Sequence, residues 1–189
     1  ICKMLSTNEF KKGLYIELDG VPFQILEFQH VKPGKGNAFV RTRMKNLINN
    51  NVLEKTFKSG DKVGEPELET KRMQYLYKDG SGYQFLDLDS FEQTHLEEAA
   101  VGDNKNYITE NLEIEVLYFR NRPIAVELPN FVVLEVTYCE PAIKGDTVSG
   151  GGKPATVSTG MIISVPYHIK QNDVLKIDTR TGEYVEKVK

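Results

Sequence analysis

Leu14-Tyr15-Ile16-Glu17-Leu18-Asp19-Gly20-Val21-Pro22-Phe23-Gln24-Ile25 decides the fold class. Leu14, Ile16 and Leu18 alternate with Tyr15 and Glu17, so on an extended chain the apolar side chains share one face. Asp19-Gly20 is a strong two-residue hairpin signal, and Val21, Phe23 and Ile25 then resume the same period. The pattern recurs outward from there. Tyr75-Leu76-Tyr77 leads to a predicted turn at Asp79-Gly80 and a strand over 83–88. Leu112, Ile114, Val116 and Tyr118 make another apolar face, which ends at a predicted turn, Asn121-Arg122-Pro123. Strands follow over 131–138, 161–169 and 174–177, with Asp178-Thr179-Arg180-Thr181-Gly182 as a turn. Only 90–100 reads as helix, with Ser90 and Gln93 at capping-box spacing. Many short strands at this spacing predict antiparallel barrels or sandwiches. The 189 residues divide better into three small barrels than into one large one. The reading is all-β, with domains at 1–65, 66–129 and 130–189.

Composition supports packed cores: 40% hydrophobic and 10% aromatic residues, with a net charge of −3. No apolar run approaches the length of a membrane-spanning helix, and no secretory signal is read at the start. The two cysteines, Cys2 and Cys139, are not a disulfide framework, so a reducing, cytoplasmic setting is expected. The charge is uneven. Residues 1–65 hold 11 basic and 7 acidic residues, whereas 66–128 hold 6 basic and 13 acidic. A nucleic-acid contact is therefore expected of the first segment only.

The basic segment contains His30-Val31-Lys32-Pro33-Gly34-Lys35-Gly36-Asn37 between two predicted strands. Pro33 cannot pair, and Gly34 and Gly36 permit a sharp reversal, which places Lys35 at a hairpin apex without bulk on either side. Taken alone, a lysine in such a turn is simply solvated. Arg41, Arg43 and Lys45 follow at intervals of two, so on a strand they face one way. With Lys32 and Lys35 they form a basic stripe suited to an RNA backbone, or else an ordinary solvated strand face.

A second glycine-rich stretch, Lys144-Gly145-Asp146-Thr147-Val148-Ser149-Gly150-Gly151-Gly152-Lys153-Pro154, is not a phosphate loop. Thr147 stands where a Walker A needs its first glycine and Pro154 where it needs Ser or Thr. A surface loop is the plain reading, although Gly145, Asp146 and Thr147 offer amides, a carboxylate and a hydroxyl to a sugar or phosphate. His30, His95 and His168 are scattered, so no metal site is expected. Asp87 and Asp89 read as a solvated acidic edge rather than a catalytic pair. No nucleophile elbow is present, and Cys139 has no nearby histidine in sequence. No catalytic residue and no cofactor are expected.

Lys32-Pro33-Gly34-Lys35-Gly36-Asn37-Ala38-Phe39, with Arg41, Arg43, Asn46-Leu47 and Glu54-Lys55-Thr56-Phe57-Lys58-Ser59, resembles the first domain of bacterial elongation factor P. Tyr75-Leu76-Tyr77-Lys78-Asp79-Gly80 and Phe91-Glu92-Gln93 resemble that family's second domain. Lys144-Gly145-Asp146-Thr147, Gly152-Lys153-Pro154-Ala155-Thr156 and Asp178-Thr179-Arg180-Thr181-Gly182-Glu183-Tyr184 resemble its third. Asn172-Asp173 departs from a Gly-Asp common in the family, a change that asparagine tolerates because it accepts the left-handed conformation.

The resemblance implies an SH3-like (KOW-like) barrel followed by two OB-fold-like barrels, L-shaped and tRNA-like in outline. It implies a monomeric, cytoplasmic, non-enzymatic factor that binds the ribosome between the peptidyl-tRNA and exit-tRNA sites and relieves stalling at consecutive prolines. The tip Lys32, Pro33, Gly34, Lys35 and Gly36 would meet the CCA end of the peptidyl-tRNA. Lys35 would be the position modified by a lysyl-transferring enzyme, through β-lysylation and hydroxylation. Arg41, Arg43 and Lys45 would meet RNA backbone, and Gly145, Asp146 and Thr147 the D-arm of the tRNA. An elongation-factor-P-like paralogue and a general OB-fold RNA-binding protein remain the alternatives.

Overall fold

The computed structural model describes residues 3–142 and 151–189. The chain is all-β and forms three small, curled sheets of the barrel type. The first orders its strands β1-β6-β2-β3-β4-β5, with β1 Met4–Ser6, β2 Tyr15–Leu18, β3 Val21–Val31, β4 Phe39–Asn46, β5 Val52–Lys58 and β6 Lys62–Gly64. The second runs β11-β10-β7-β8-β9, with β7 Glu69–Asp79, β8 Gly82–Asp87, β9 Gln93–Leu96, β10 Glu113–Phe119 and β11 Arg122–Glu127. The third runs β14-β13-β12-β15-β16, with β12 Phe131–Cys139, β13 Lys153–Val157, β14 Ile162–Val165, β15 Val174–Asp178 and β16 Tyr184–Lys187. By compactness the chain forms two units: Ile1–Lys71 with Leu117–Ala125, and Arg72–Val116 with Val126–Lys189. Among the described residues no helix is long and apolar enough to cross a membrane.

Alternation in the sequence becomes burial on one face. Ile16, Phe23, Ile25, Val40, Met44 and Phe57 pack with Leu5, Phe10 and Val63 in the core of the first sheet. Val132, Leu134 and Val136 of β12 meet Ala155, Val157, Ile163, Leu175 and Ile177 in the third. The predicted hairpin at Asp19-Gly20 forms with φ of 51° and 77° and pairs Leu18 with Val21. Two positive φ angles are what a tight hairpin turn of the right twist needs. Asn172 also takes its expected left-handed conformation, with φ 70°.

Several local expectations change, among them the strand expected over 161–169, which runs only from Ile162 to Val165. The β7–β8 reversal uses Gly80 and Ser81, because Asp79 already pairs with Gly82 and turns its carboxylate onto the Ser81 N–H and hydroxyl. The β10–β11 turn uses Arg120 and Asn121 at φ 49° and 63°, and Pro123 lies within β11, an edge strand where a missing N–H costs little. The predicted helix over 90–100 is instead strand β9, then a single helical turn, Glu98–Val101. Pairing of Leu86 with Gln93 and of Tyr83 with Leu96 overrides the local helix signal, and the Ser90 hydroxyl accepts from the Glu92 N–H. Asp87 is not a solvated edge either. It is buried, and one carboxylate oxygen caps the N–H groups of Asp89 and Ser90.

Candidate functional site

Strands β3 and β4 pair from Phe23 with Asn46 to Val31 with Phe39. At about 3.3 Å per residue, an eleven-residue strand such as β3 is roughly 36 Å long. A bulge at Leu26 lets β3 change phase, so that Glu27, Gln29 and Val31 join Arg41 and Arg43 on the outer face. Val40, Thr42 and Met44 face inward and are buried, which forces Arg41 and Arg43 outward. Lys45 is half-buried on the same side of β4 as the two arginines.

Beyond the last pair, residues 32–38 form the turn. Lys32, Pro33, Gly34, Lys35 and Gly36 are all exposed. Apart from its chain neighbours, no atom lies within 4 Å of where a Cβ on Gly34 would stand, and Gly36 has φ 107°, a conformation that nearly only glycine adopts without strain. Lys35 therefore rises from a turn that packing does not crowd. The fold brings the expected tip and the expected stripe onto one hairpin, with Arg41, Arg43 and Lys45 descending from the tip along β4. Gly145, Asp146 and Thr147 lie outside the described residues.

Register across three strands grades the charge of this face. Arg41 sits between Gln29 and Thr56, both neutral. Arg43 sits between Glu27 and Glu54, and its guanidinium lies 3.8 Å from the Glu27 carboxylate. That exposed pair is weak, but it offsets the arginine's field. Lys58 pairs with Phe39, which places a further exposed cation on the Arg41 side just below the turn. Sequence spacing along β4 could not show Lys58, because it lies on the neighbouring strand. On this face Arg41 and Lys58 stand among neutral neighbours near the tip while the charge of Arg43 below them is offset, an arrangement suited to phosphates at the tip end.

Lys153 has a structural role. It is buried, and its Nζ donates to the Glu140 carbonyl at 2.6 Å. Gly152 packs so tightly that a Cβ would stand 2.6 Å from Ser164 Oγ and 2.8 Å from the Val165 carbonyl. Among the described residues no three His, Cys, Asp or Glu side chains converge as a metal site would require.

Three family models match the chain in order: the elongation factor P KOW-like domain over residues 6–63, the elongation factor P OB domain over 68–126, and the elongation factor P C-terminal domain over 132–187. Elongation factor P of Pelotomaculum thermopropionicum is 51% identical over 98% of this chain and 100% of its own length. That of Carboxydothermus hydrogenoformans is 50% identical over the same shares, and that of Wolinella succinogenes 50% over 97% and 98%. A solved structure titled eukaryotic translation initiation factor 5A from Methanococcus jannaschii matches 67% of this chain and 95% of its own, at 24% identity and a TM-score of 0.47. Half of all positions shared from end to end, in a chain whose domains match in sequence order, establishes descent, and the chain belongs to the elongation factor P family.

Proposed function

We propose that this translation elongation factor binds the ribosome between the peptidyl-tRNA and exit-tRNA sites and relieves stalling at consecutive prolines. It acts as a monomer in the cytoplasm and is not an enzyme. The observation that carries the reading is Lys35, exposed on an uncrowded turn at the end of a long paired arm, with cations below it. A turn carried on three paired strands can deliver a long cation into a narrow RNA-lined channel. There Lys35, extended by a lysyl-transferring enzyme, steadies the CCA end of the peptidyl-tRNA, with Lys32, Pro33, Gly34 and Gly36 shaping the tip. Holding the two reacting ends together lowers the entropic cost of bond formation, which matters most for proline. The ribosome supplies the reaction centre. Arg41, Arg43 and Lys45 take RNA backbone, and Gly145, Asp146 and Thr147 take the D-arm. The same reading divides the chain into domains at 1–65, 66–129 and 130–189.

Reconstituted translation of a message encoding consecutive prolines tests this directly, with protein purified from its own host beside Lys35→Ala and a proline-free control message. Native protein should relieve the stall, and Lys35→Ala should lose that relief while unfolding at an unchanged temperature. Equal activity from Lys35→Ala would overturn the role of the tip.

A further inference from the structure

Within residues 66–128, the exposed large hydrophobic side chains are Tyr77, 48% exposed, and Phe91, 74% exposed. Phe91 also has φ 60°, in the left-handed region that a bulky side chain enters only at a cost. The turn that holds it there is tightly wired. The Phe91 N–H donates to the Asp87 carbonyl at 2.9 Å, and the Asp87 N–H donates to the Glu92 carbonyl at 2.9 Å. The buried Asp87 carboxylate accepts from Asp89 and Ser90 at 2.8 and 3.1 Å. Two residues on, Gln93 Nε2 donates to the Tyr77 hydroxyl at 3.3 Å and so ties the second exposed aromatic to this edge of the sheet. A ring that served the fold would be buried, yet this one is fixed by backbone bonds and turned into water.

The surrounding charge narrows what the ring can meet. From Asp79 to Asn104 the chain carries seven carboxylates and no lysine or arginine; Asp87 is buried and Glu98 is bridged by Lys78 and Lys105, which leaves Asp89 and Glu92 as the exposed charges flanking the ring. Asp89 and Glu92 on either side of Phe91 are exposed, and among the described residues neither forms an ion pair. This field repels phosphate and attracts lysine and arginine. A rigid aromatic with a carboxylate rim is the form of an interface anchor: the ring fills an apolar or cationic pocket and the carboxylates pair around it.

We propose that Phe91 anchors a docking surface whose occupant is a lysine- and arginine-rich protein of the ribosome, not its RNA. This rests on the ribosome-binding reading above. The test places a photoreactive benzophenone side chain at position 91 of the full chain, bound to purified bacterial ribosomes carrying peptidyl-site tRNA. The expected adduct is with a basic ribosomal protein. An adduct with ribosomal RNA or tRNA, or none while the factor still co-sediments, overturns the proposal. If the unsubstituted chain does not co-sediment, the ribosome reading itself has failed and this inference falls with it. In parallel, Phe91→Gly, which removes both ring and strain, should weaken ribosome binding at least about tenfold. Its thermal midpoint should hold or rise, and Phe91→Tyr should restore binding. Parallel loss of stability and binding in Phe91→Gly would make the ring structural and overturn the assignment. Asp89→Asn with Glu92→Gln should weaken binding further, whereas stronger binding would point to RNA and count against the proposal.

Discussion

At the turn over 32–38, the Cβ position of Gly34 is open on every side and Lys35 stands free in solvent. At the turn over 88–92, a buried aspartate gathers the backbone and Phe91 is held in one strained conformation. Both turns expose a large side chain, but they do so by opposite means. The first uses residues that demand nothing of their neighbours, which leaves a long cation unhindered at the end of paired strands. The second spends hydrogen bonds to fix a rigid ring. A long cation free of packing suits a channel whose shape it must follow, while a fixed ring suits a pocket already formed. The difference lies in the backbone around each tip as much as in the residue displayed.

Changes that open or close backbone space should separate the two turns most sharply. In the sheet that carries Phe91, Gly82 has φ 130°, and a Cβ there would collide with the Leu96 carbonyl. Gly82→Ala should therefore cost more than about 3 kcal/mol in denaturant unfolding, because backbone cannot move aside as a flexible side chain can. Asp87→Ala comes next. Loss of two charge-assisted bonds at a buried site should cost about 2–3 kcal/mol and release the Phe91 turn, seen as faster amide exchange at Asp89 and Ser90. A smaller effect is expected of Glu98, which bridges Lys78 at 2.7 Å and Lys105 at 2.9 Å. Hydrogen bonds from the two lysines, Lys78 foremost, hold its carboxyl down at about 2. A depressed carboxyl stabilises the fold above its ordinary value near 4.5 and loses that contribution as pH falls toward 2. The stability gap between wild type and Glu98→Gln should be full at pH 6 and close by about pH 2; a gap that widens in acid would refute the pairing. Last, Gly34→Ala should change stability by less than about 0.5 kcal/mol, since nothing surrounds the new methyl group. If it proved as costly as Gly82→Ala, the picture of an uncrowded tip would be wrong.

The strands, the Asp19-Gly20 hairpin and the glycine-flanked Lys35 were legible in the sequence because each rests on a few consecutive residues. Period-2 burial is local geometry, and Asp-Gly turns follow from which residues accept positive φ. The helix expected over 90–100 misled because its local signal was real but weaker than pairing with β8. Asp87 misled because an aspartate at a strand end reads as solvated until its own loop folds back over it. Nothing in the spelling of Asp-Ser-Phe-Glu-Gln shows that its phenylalanine turns outward.

By itself the sequence determined that the chain would be strands, how they would alternate and where the basic tip would stand. Each of these depends on neighbours within a few residues. Tertiary structure decided which charges share a face. The bulge at Leu26 and the pairing of β3, β4 and β5 place Glu27 and Glu54 beside Arg43 and leave Arg41 among neutral groups, with Lys58 close to the tip. Register joins residues far apart in the chain, and a one-residue slip would exchange every inner side chain for an outer one.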